Sequence, residues 1–149
     1  MVDRGKPIAI LMAEDDPDDR LFCREALEQA RLTNRIYFVE DGQELMDYLQ
    51  CRGKYSDPAS CPTPGLILLD LNMPRKDGRE VLEELKTDDH FRPIPVVILT
   101  TSKAEEDILR SYELGVSGYI TKPVTFERLV EIMRVLGRYW FEIVELPNL

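Results

Sequence analysis

Five polar residues in this chain end, or directly follow, apolar runs, and their types are those of a charge-transfer site. Glu14 and Asp15 follow residues 8–13, Asp70 follows residues 65–69, Thr100 follows residues 96–99, and Lys122 closes the run 116–121. A carboxylate among apolar groups is costly unless it is paired or metal-bound, so Asp70 belongs at the edge of a site rather than in a core. If the strands carrying Glu14, Asp15 and Asp70 are neighbours, three carboxylates converge, and they must bind protons or recruit a cation. Oxygen-only donors favour a hard ion, and Mg²⁺ keeps several waters beside one or two carboxylates and a phosphate. A carboxylate can also be a nucleophile that forms an aspartyl phosphate, a reaction driven by positioning and charge neutralisation. The expected chemistry is phosphoryl transfer onto Asp70, with Mg²⁺, Lys122 and the Thr100 hydroxyl each taking one phosphoryl oxygen.

The elements that must position these groups alternate. Continuously apolar segments suit strands buried on both faces, and Pro74 marks a turn soon after the central one. Asp16-Pro17 opens a helix to about Arg31, with Asp18 and Asp19 at the positive end of its dipole and Leu21, Phe22, Ala26, Leu27 and Ala30 in support. Residues 35–40 read as a short strand, and Asp41-Gly42-Gln43-Glu44 caps a helix carrying Leu45, Met46 and Leu49. Asp77-Gly78 opens a helix with Val81, Leu82 and Leu85. Ser102-x-x-Glu105 reads as a capping box for a helix with Ile108, Leu109 and Tyr112, closed by Gly115. Phe126, Leu129, Val130, Met133 and Leu136 line a final amphipathic helix. Five alternations of strand and helix predict a parallel sheet with helices on both faces, and ligands bind beyond the carboxyl ends of such strands.

The 149 residues suit one domain, 1–149, with a long surface loop at 51–64 and an aromatic extension at 137–149. A net charge of −9 argues against nucleic-acid and anionic-membrane partners and for a cationic ligand. No apolar run approaches membrane-spanning length, and the one near the amino end is too short for a signal peptide, so a cytoplasmic protein is expected. Cys23, Cys51 and Cys61 are odd in number without a CxxC pair, which predicts free thiols rather than a disulfide framework or zinc site.

With these residues in view, the chain resembles a response-regulator receiver domain of two-component signalling. The carriers are Glu14-Asp15, Asp70-Leu71-Asn72-Met73-Pro74 with Asp77-Gly78, Thr100, and Gly118-Tyr119-Ile120-Thr121-Lys122-Pro123, spread over residues 8–133. The resemblance implies a (βα)5 doubly wound, five-stranded parallel sheet of order 2-1-3-4-5. It implies that Asp70 accepts phosphate from a histidine-kinase phosphohistidine. It further implies that Asp15, Asp70 and the backbone carbonyl of Asn72 bind Mg²⁺, with Glu14 acting through water. By the same resemblance Thr100 and Lys122 contact the phosphoryl group, the bond before Pro123 is cis, and Tyr119 turns inward when Thr100 moves toward the phosphate. The chain is also similar to the short regulators paired with bacterial phytochrome kinases. Thr101 and Val124 depart from the family's commonest residues, a smaller one and phenylalanine, and Asn72 and Ser102 occupy positions that tune hydrolysis there.

Plainer readings exist for single residues. Asp16 is a helix cap, His90 a surface residue, and Tyr139-Trp140-Phe141 either pack on their own domain or form an interface. The expected interface is a homodimer through the fourth and fifth helices and the tail. The rival functions are a flavin-binding module and a Mg²⁺-dependent aspartyl-phosphate phosphatase. The flavin module needs a phosphate cradle where Glu14-Asp15-Asp16 would repel phosphate. The phosphatase normally has a second acid where Asn72 stands, and Asn72 transfers no proton. The reading is therefore a signalling switch that assists its own phosphorylation and dephosphorylation and is not an enzyme acting on other substrates.

Overall fold

The computed structural model describes residues 8–122 and 125–138. Pro123, with its expected cis bond, Val124, and the aromatic tail from Tyr139 onward lie outside the described residues. Strand and helix alternate: β1 (Ile10–Ala13), α1 (Pro17–Gln29), β2 (Ile36–Val39), α2 (Gly42–Leu49), β3 (Leu66–Leu69), α3 (Gly78–Thr87), β4 (Val96–Thr100), α4 (Glu105–Leu114), β5 (Gly118–Thr121) and α5 (Phe126–Leu136). The sheet has the order β2-β1-β3-β4-β5, and every neighbouring pair is parallel. This is the doubly wound fold expected from the resemblance. The winding reverses at β1 and β3.

Continuous apolarity has a simple cause here. Side chains alternate between the faces of a strand, and both faces are covered. Leu11, Ala13, Ile67, Leu69 and Ile98 pack in one cluster with Leu45 and Met46 of α2 and Val81, Leu82 and Leu85 of α3. Ile10, Met12, Leu66, Leu68, Val97 and Leu99 pack on the other face with Ala26 and Leu27 of α1 and Leu129, Val130 and Met133 of α5. Each fully buried aliphatic side chain contributes roughly 1.5–3 kcal/mol, so these two layers hold the strand ends in register.

Four helices begin on side-chain caps: Asp16, Asp41, Asp77 and Thr125 accept from the backbone N–H of Asp18, Glu44, Arg79 and Arg128. Gly78 follows its cap because an added Cβ would meet the Asp70 carbonyl oxygen and lie 2.7 Å from Leu71 Cα. The start of α3 is thereby pressed against the backbone that carries Asp70. At Gly115, φ is 97°, the left-handed geometry that ends α4.

Several sequence expectations are corrected. Ser102 does not cap α4, whose N-cap is Ala104 without a side-chain hydrogen bond; the Ser102 hydroxyl bonds Asp107 instead. The helix begins two residues later than a capping box would have it, so the Ser102 oxygen accepts from the Ala104 N–H ahead of the first turn. Helix α1 ends at Gln29 rather than Arg31, and Leu21 and Phe22 are exposed because Cys23, Ala26 and Leu27 supply its buried stripe. Cys51 and Cys61 form a disulfide, so Cys23 alone is a free thiol. The loop between α2 and β3 brings these cysteines together by two 3₁₀ turns, Gly53–Tyr55 and Pro58–Ser60, which spacing rules do not anticipate. Aromatic contacts tie the same loop down: the Tyr48 and Tyr55 rings meet edge-on at 5.1 Å, Tyr48 donates to the Pro62 carbonyl and Tyr55 to Glu44.

Helix α4 is thinly anchored. Ser111 is its one buried residue, while Leu109 and Tyr112, read from the sequence as its apolar support, are 57% and 52% exposed. Few buried contacts make an element open at low free-energy cost. Native-state hydrogen exchange should therefore release α4 amides before those of α5; equal protection of the two helices would contradict this.

Candidate functional site

The carboxyl ends of the inner strands deliver the polar residues to one place. The register pairs Ala13 with Leu69, so Glu14 and Asp70 leave their strands side by side, and the Asp70 N–H donates to the Ala13 carbonyl at 3.2 Å. Thr100 is the last residue of β4, and the Lys122 N–H donates to its carbonyl at 2.8 Å. Carboxylate oxygens of Glu14, Asp15 and Asp70 lie within 4.8 Å of one another. Glu14 and Thr100 are fully buried, Asp70 is 4% exposed, and Asp15 faces solvent.

Lys122 bridges the cluster. Its ammonium donates to Asp70 Oδ2 at 3.0 Å and Asp19 Oδ2 at 2.9 Å, and it contacts Glu14 Oε1. Burial opposes the charged ammonium, but the bonds to Glu14, Asp19 and Asp70 outweigh it and hold the Lys122 pKa above its usual value. Burial dominates at Glu14, pushing its carboxyl up to about 7 despite the Lys122 contact. Asn72 donates its backbone N–H to Asp70 Oδ1 at 3.1 Å, and its side-chain amide approaches the Thr100 and Thr101 hydroxyls at 3.5 and 3.4 Å. Tyr119 is half-buried against the α2/α3 cluster and donates its hydroxyl to the Ser102 carbonyl at 3.0 Å. Every site residue named from the sequence within the described residues is thus on this end of the sheet.

Two residues of the site escape sequence reasoning. Asp19, read only as an acid at the start of a helix, lies on the face of α1 that meets Lys122. Arg79 reaches Asp77, Asp107 and the Asn72 side chain. A cation in the first turn of a helix is disfavoured by the dipole, and that mismatch was the available signal.

Three carboxylates without nitrogen or sulfur donors suit a hard divalent cation, and one of them is already costly to ionise in its buried position. Glu14, Asp15 and Asp70, whose carboxylate oxygens lie within 4.8 Å of one another, are the groups that would hold it. Glu14 also sets a pH dependence. A carboxyl raised from 4.5 to about 7 on folding binds an extra proton between those values, so its contribution to stability is present at acid pH and lost as pH rises through about 7. Without divalent cation, Glu14→Gln should stabilise the fold at pH 8 by roughly 2–3 kcal/mol, a gain that vanishes near pH 5. Denaturant titrations at both pH values check this, and a pH-independent difference would contradict it.

A doubly wound α/β domain with a lysine-bridged acidic pocket at its switch point is the class that fold and site define. The chain belongs to the response regulator receiver domain family, whose sequence profile matches residues 10–134. It is 41% identical to the response regulator Rcp1 of Synechocystis sp. over 141 residues, covering 95% of this chain and 94% of the relative. The crystal structure of the Mn²⁺-bound form of Rcp1 superposes with a TM-score of 0.86 over 95% of this chain and all of that one. The phosphorylated cyanobacterial phytochrome response regulator RcpA is 40% identical with a TM-score of 0.87, covering 96% of this chain and all of that one. RPA3017, a response regulator in red light signalling of R. palustris, is 35% identical with a TM-score of 0.88, covering 95% of this chain and 99% of that one. The flavin-module and phosphatase alternatives are not favoured by these relatives. No helix among the described residues is long and apolar enough to cross a membrane.

Proposed function

We propose that this chain is a phosphoacceptor switch in which Asp70 takes a phosphoryl group from the phosphohistidine of a sensor histidine kinase. The observation that carries this reading is the meeting of Glu14, Asp15 and Asp70 around one point, with Lys122 on Asp70 Oδ2. A bound divalent cation, with Mg²⁺ the proposed ion, neutralises charge on the acceptor and on the incoming phosphoryl oxygens. Asp70 attacks phosphorus through a carboxylate oxygen; the O–P bond forms, the N–P bond breaks, and the imidazole leaves with the electron pair. Lys122 exchanges a carboxylate oxygen for a phosphoryl oxygen, and the buried Thr100 hydroxyl donates to another. Asn72, which carries no transferable proton, leaves hydrolysis without a strong general base. The domain thus assists its own modification and its reversal, and acts on no other substrate.

The kinase partner is a phytochrome type, a reading supported by two relatives, the phytochrome response regulator RcpA and RPA3017 of red light signalling. Such a partner places the chain in the cytoplasm. Output runs through protein contacts, with no nucleic-acid or membrane partner. Leu109, Tyr112 and Val135 leave apolar area exposed on α4 and α5, and with the tail they support a homodimer. Sedimentation with and without a phosphoryl mimic tests the dimer, and a monomer at high micromolar concentration in both states would remove it. The phosphoacceptor reading is tested by mixing the protein with a phosphorylated phytochrome kinase: label should move to this chain with Mg²⁺ and stay on the kinase with a chelator. Transfer unaffected by chelation would contradict it.

A further inference from the structure

Beyond the carboxylate cluster, one side chain ties together three segments around the acceptor. Arg79 Nε and Nη2 donate to the two Asp107 carboxylate oxygens at 2.7 and 2.6 Å, a two-pronged grip from α3 onto α4. Its Nη1 donates to both Asp77 oxygens at 3.2 and 3.1 Å and reaches the Leu71 carbonyl at 3.4 Å. The same guanidinium faces Asn72 Oδ1 from two nitrogens, at 3.5 and 3.4 Å. From Asp107 the contacts continue: Oδ2 accepts from the Ser102 hydroxyl at 2.7 Å, and the Ser102 N–H donates to Thr100 Oγ1 at 3.4 Å. Asn72 then closes a ring, since its amide nitrogen approaches the same Thr100 oxygen.

The ring has a directional consequence. A guanidinium donates and never accepts, so the Asn72 carbonyl oxygen must face Arg79 and the amide nitrogen must face Thr100 and Thr101. Asn72 is otherwise an exposed side chain whose amide could turn over freely. Its backbone N–H already donates to Asp70 Oδ1. Arg79 is 41% exposed, and ion pairs of such exposure add about 0–1 kcal/mol to stability. Stability alone is therefore a weak reason for this arrangement.

We propose that Arg79 is a positioning residue for phosphoryl transfer: it locks the Asn72 amide with its N–H aimed at Thr100, beside the acceptor, and its grip on Asp107 makes that aim depend on the placement of α4. The inference rests on the reading of Asp70 as phosphoacceptor. In the reaction with acetyl phosphate, the Asp70 oxygen forms a bond to phosphorus while the bond to the acetate oxygen breaks and acetate leaves with the electron pair. The positioned N–H lowers the barrier by donating toward the phosphoryl oxygens as charge redistributes.

The test is the initial rate of Mg²⁺-dependent labelling of Asp70 by acetyl phosphate, read beside Mg²⁺ affinity and folded fraction. Arg79→Ala should slow labelling by roughly fivefold or more at unchanged Mg²⁺ affinity. Arg79→Lys should not restore the rate, because an ammonium cannot grip Asp107 with two prongs and hold Asn72 as well. Asp107→Asn should slow labelling in the same direction, and the double variant should be no slower than the slower single one. A wild-type rate in folded Arg79→Ala, or single effects that multiply in the double variant, would overturn the proposal. If Arg79→Ala does not fold, Arg79→Lys and Asp107→Asn decide by the same criteria. Wild-type protein that takes no label on Asp70 defeats the phosphoacceptor reading and this proposal together; labelled wild type with unaffected variants defeats the proposal alone.

Discussion

Asp70→Asn protein, folded and at any concentration of acetyl phosphate or phosphorylated kinase, should take up no acid-labile, alkali-labile acyl phosphate at position 70. The amide keeps the shape of the carboxylate and its place beside Lys122, so the fold should survive. What it loses is the anionic oxygen that attacks phosphorus and one of the three acidic donors for a cation. Both losses act on the same step, which is why the expected effect is abolition rather than slowing. Intact-mass measurement after incubation with Mg²⁺ checks it. A variant that still gains a phosphoryl group at the wild-type rate would show that another residue is the acceptor.

Lys122→Ala should produce the largest change in stability. The ammonium is 14% exposed and faces Glu14 and Asp70 side chains that are 1% and 5% exposed. Breaking a buried charge cluster by removing its cation costs about 3–5 kcal/mol, because the remaining charges are left desolvated and unpaired. Protons and divalent cations can replace part of what the lysine supplied. The deficit should therefore be greatest in chelator at pH 8, smaller near pH 6 as Glu14 takes up a proton, and reduced again by millimolar Mg²⁺. Urea titrations under these three conditions measure it. A loss indifferent to both pH and Mg²⁺ would mean that Lys122 acts by packing alone.

How much of this was legible in the chain depends on the range of the interaction. The strand ends were readable because double-sided burial turns each strand into an unbroken apolar run, and the first polar residue after it marks the sheet's carboxyl edge. Glu14, Asp15, Asp70, Thr100 and Lys122 were found in that way, and helix caps at Asp16, Asp41 and Asp77 follow from local backbone chemistry. The strand order came from family resemblance, since spacing alone does not order parallel strands. Contacts between distant segments stayed hidden. Asp19 looked like one more acid at a helix start until the fold brought it against Lys122, the residue after β5. Arg79 joins the site only through Asp107, which α4 brings from a distant segment. Ser102-x-x-Glu105 had the letters of a capping box, but the helix begins two residues further on, at an Ala104 N-cap. Leu109 and Tyr112 have helical spacing but point away from the core, which periodicity cannot reveal without the neighbouring layers. The Cys51–Cys61 pair is closed by two short turns that no spacing rule describes.

The most direct measurement is residue-level mapping by mass spectrometry of wild-type protein treated with acetyl phosphate and Mg²⁺, with a chelated sample in parallel. The account predicts one added phosphoryl group, located on Asp70, that is absent from the chelated sample. A phosphoryl group on any other residue, or none at all in folded protein with Mg²⁺ bound, would contradict it.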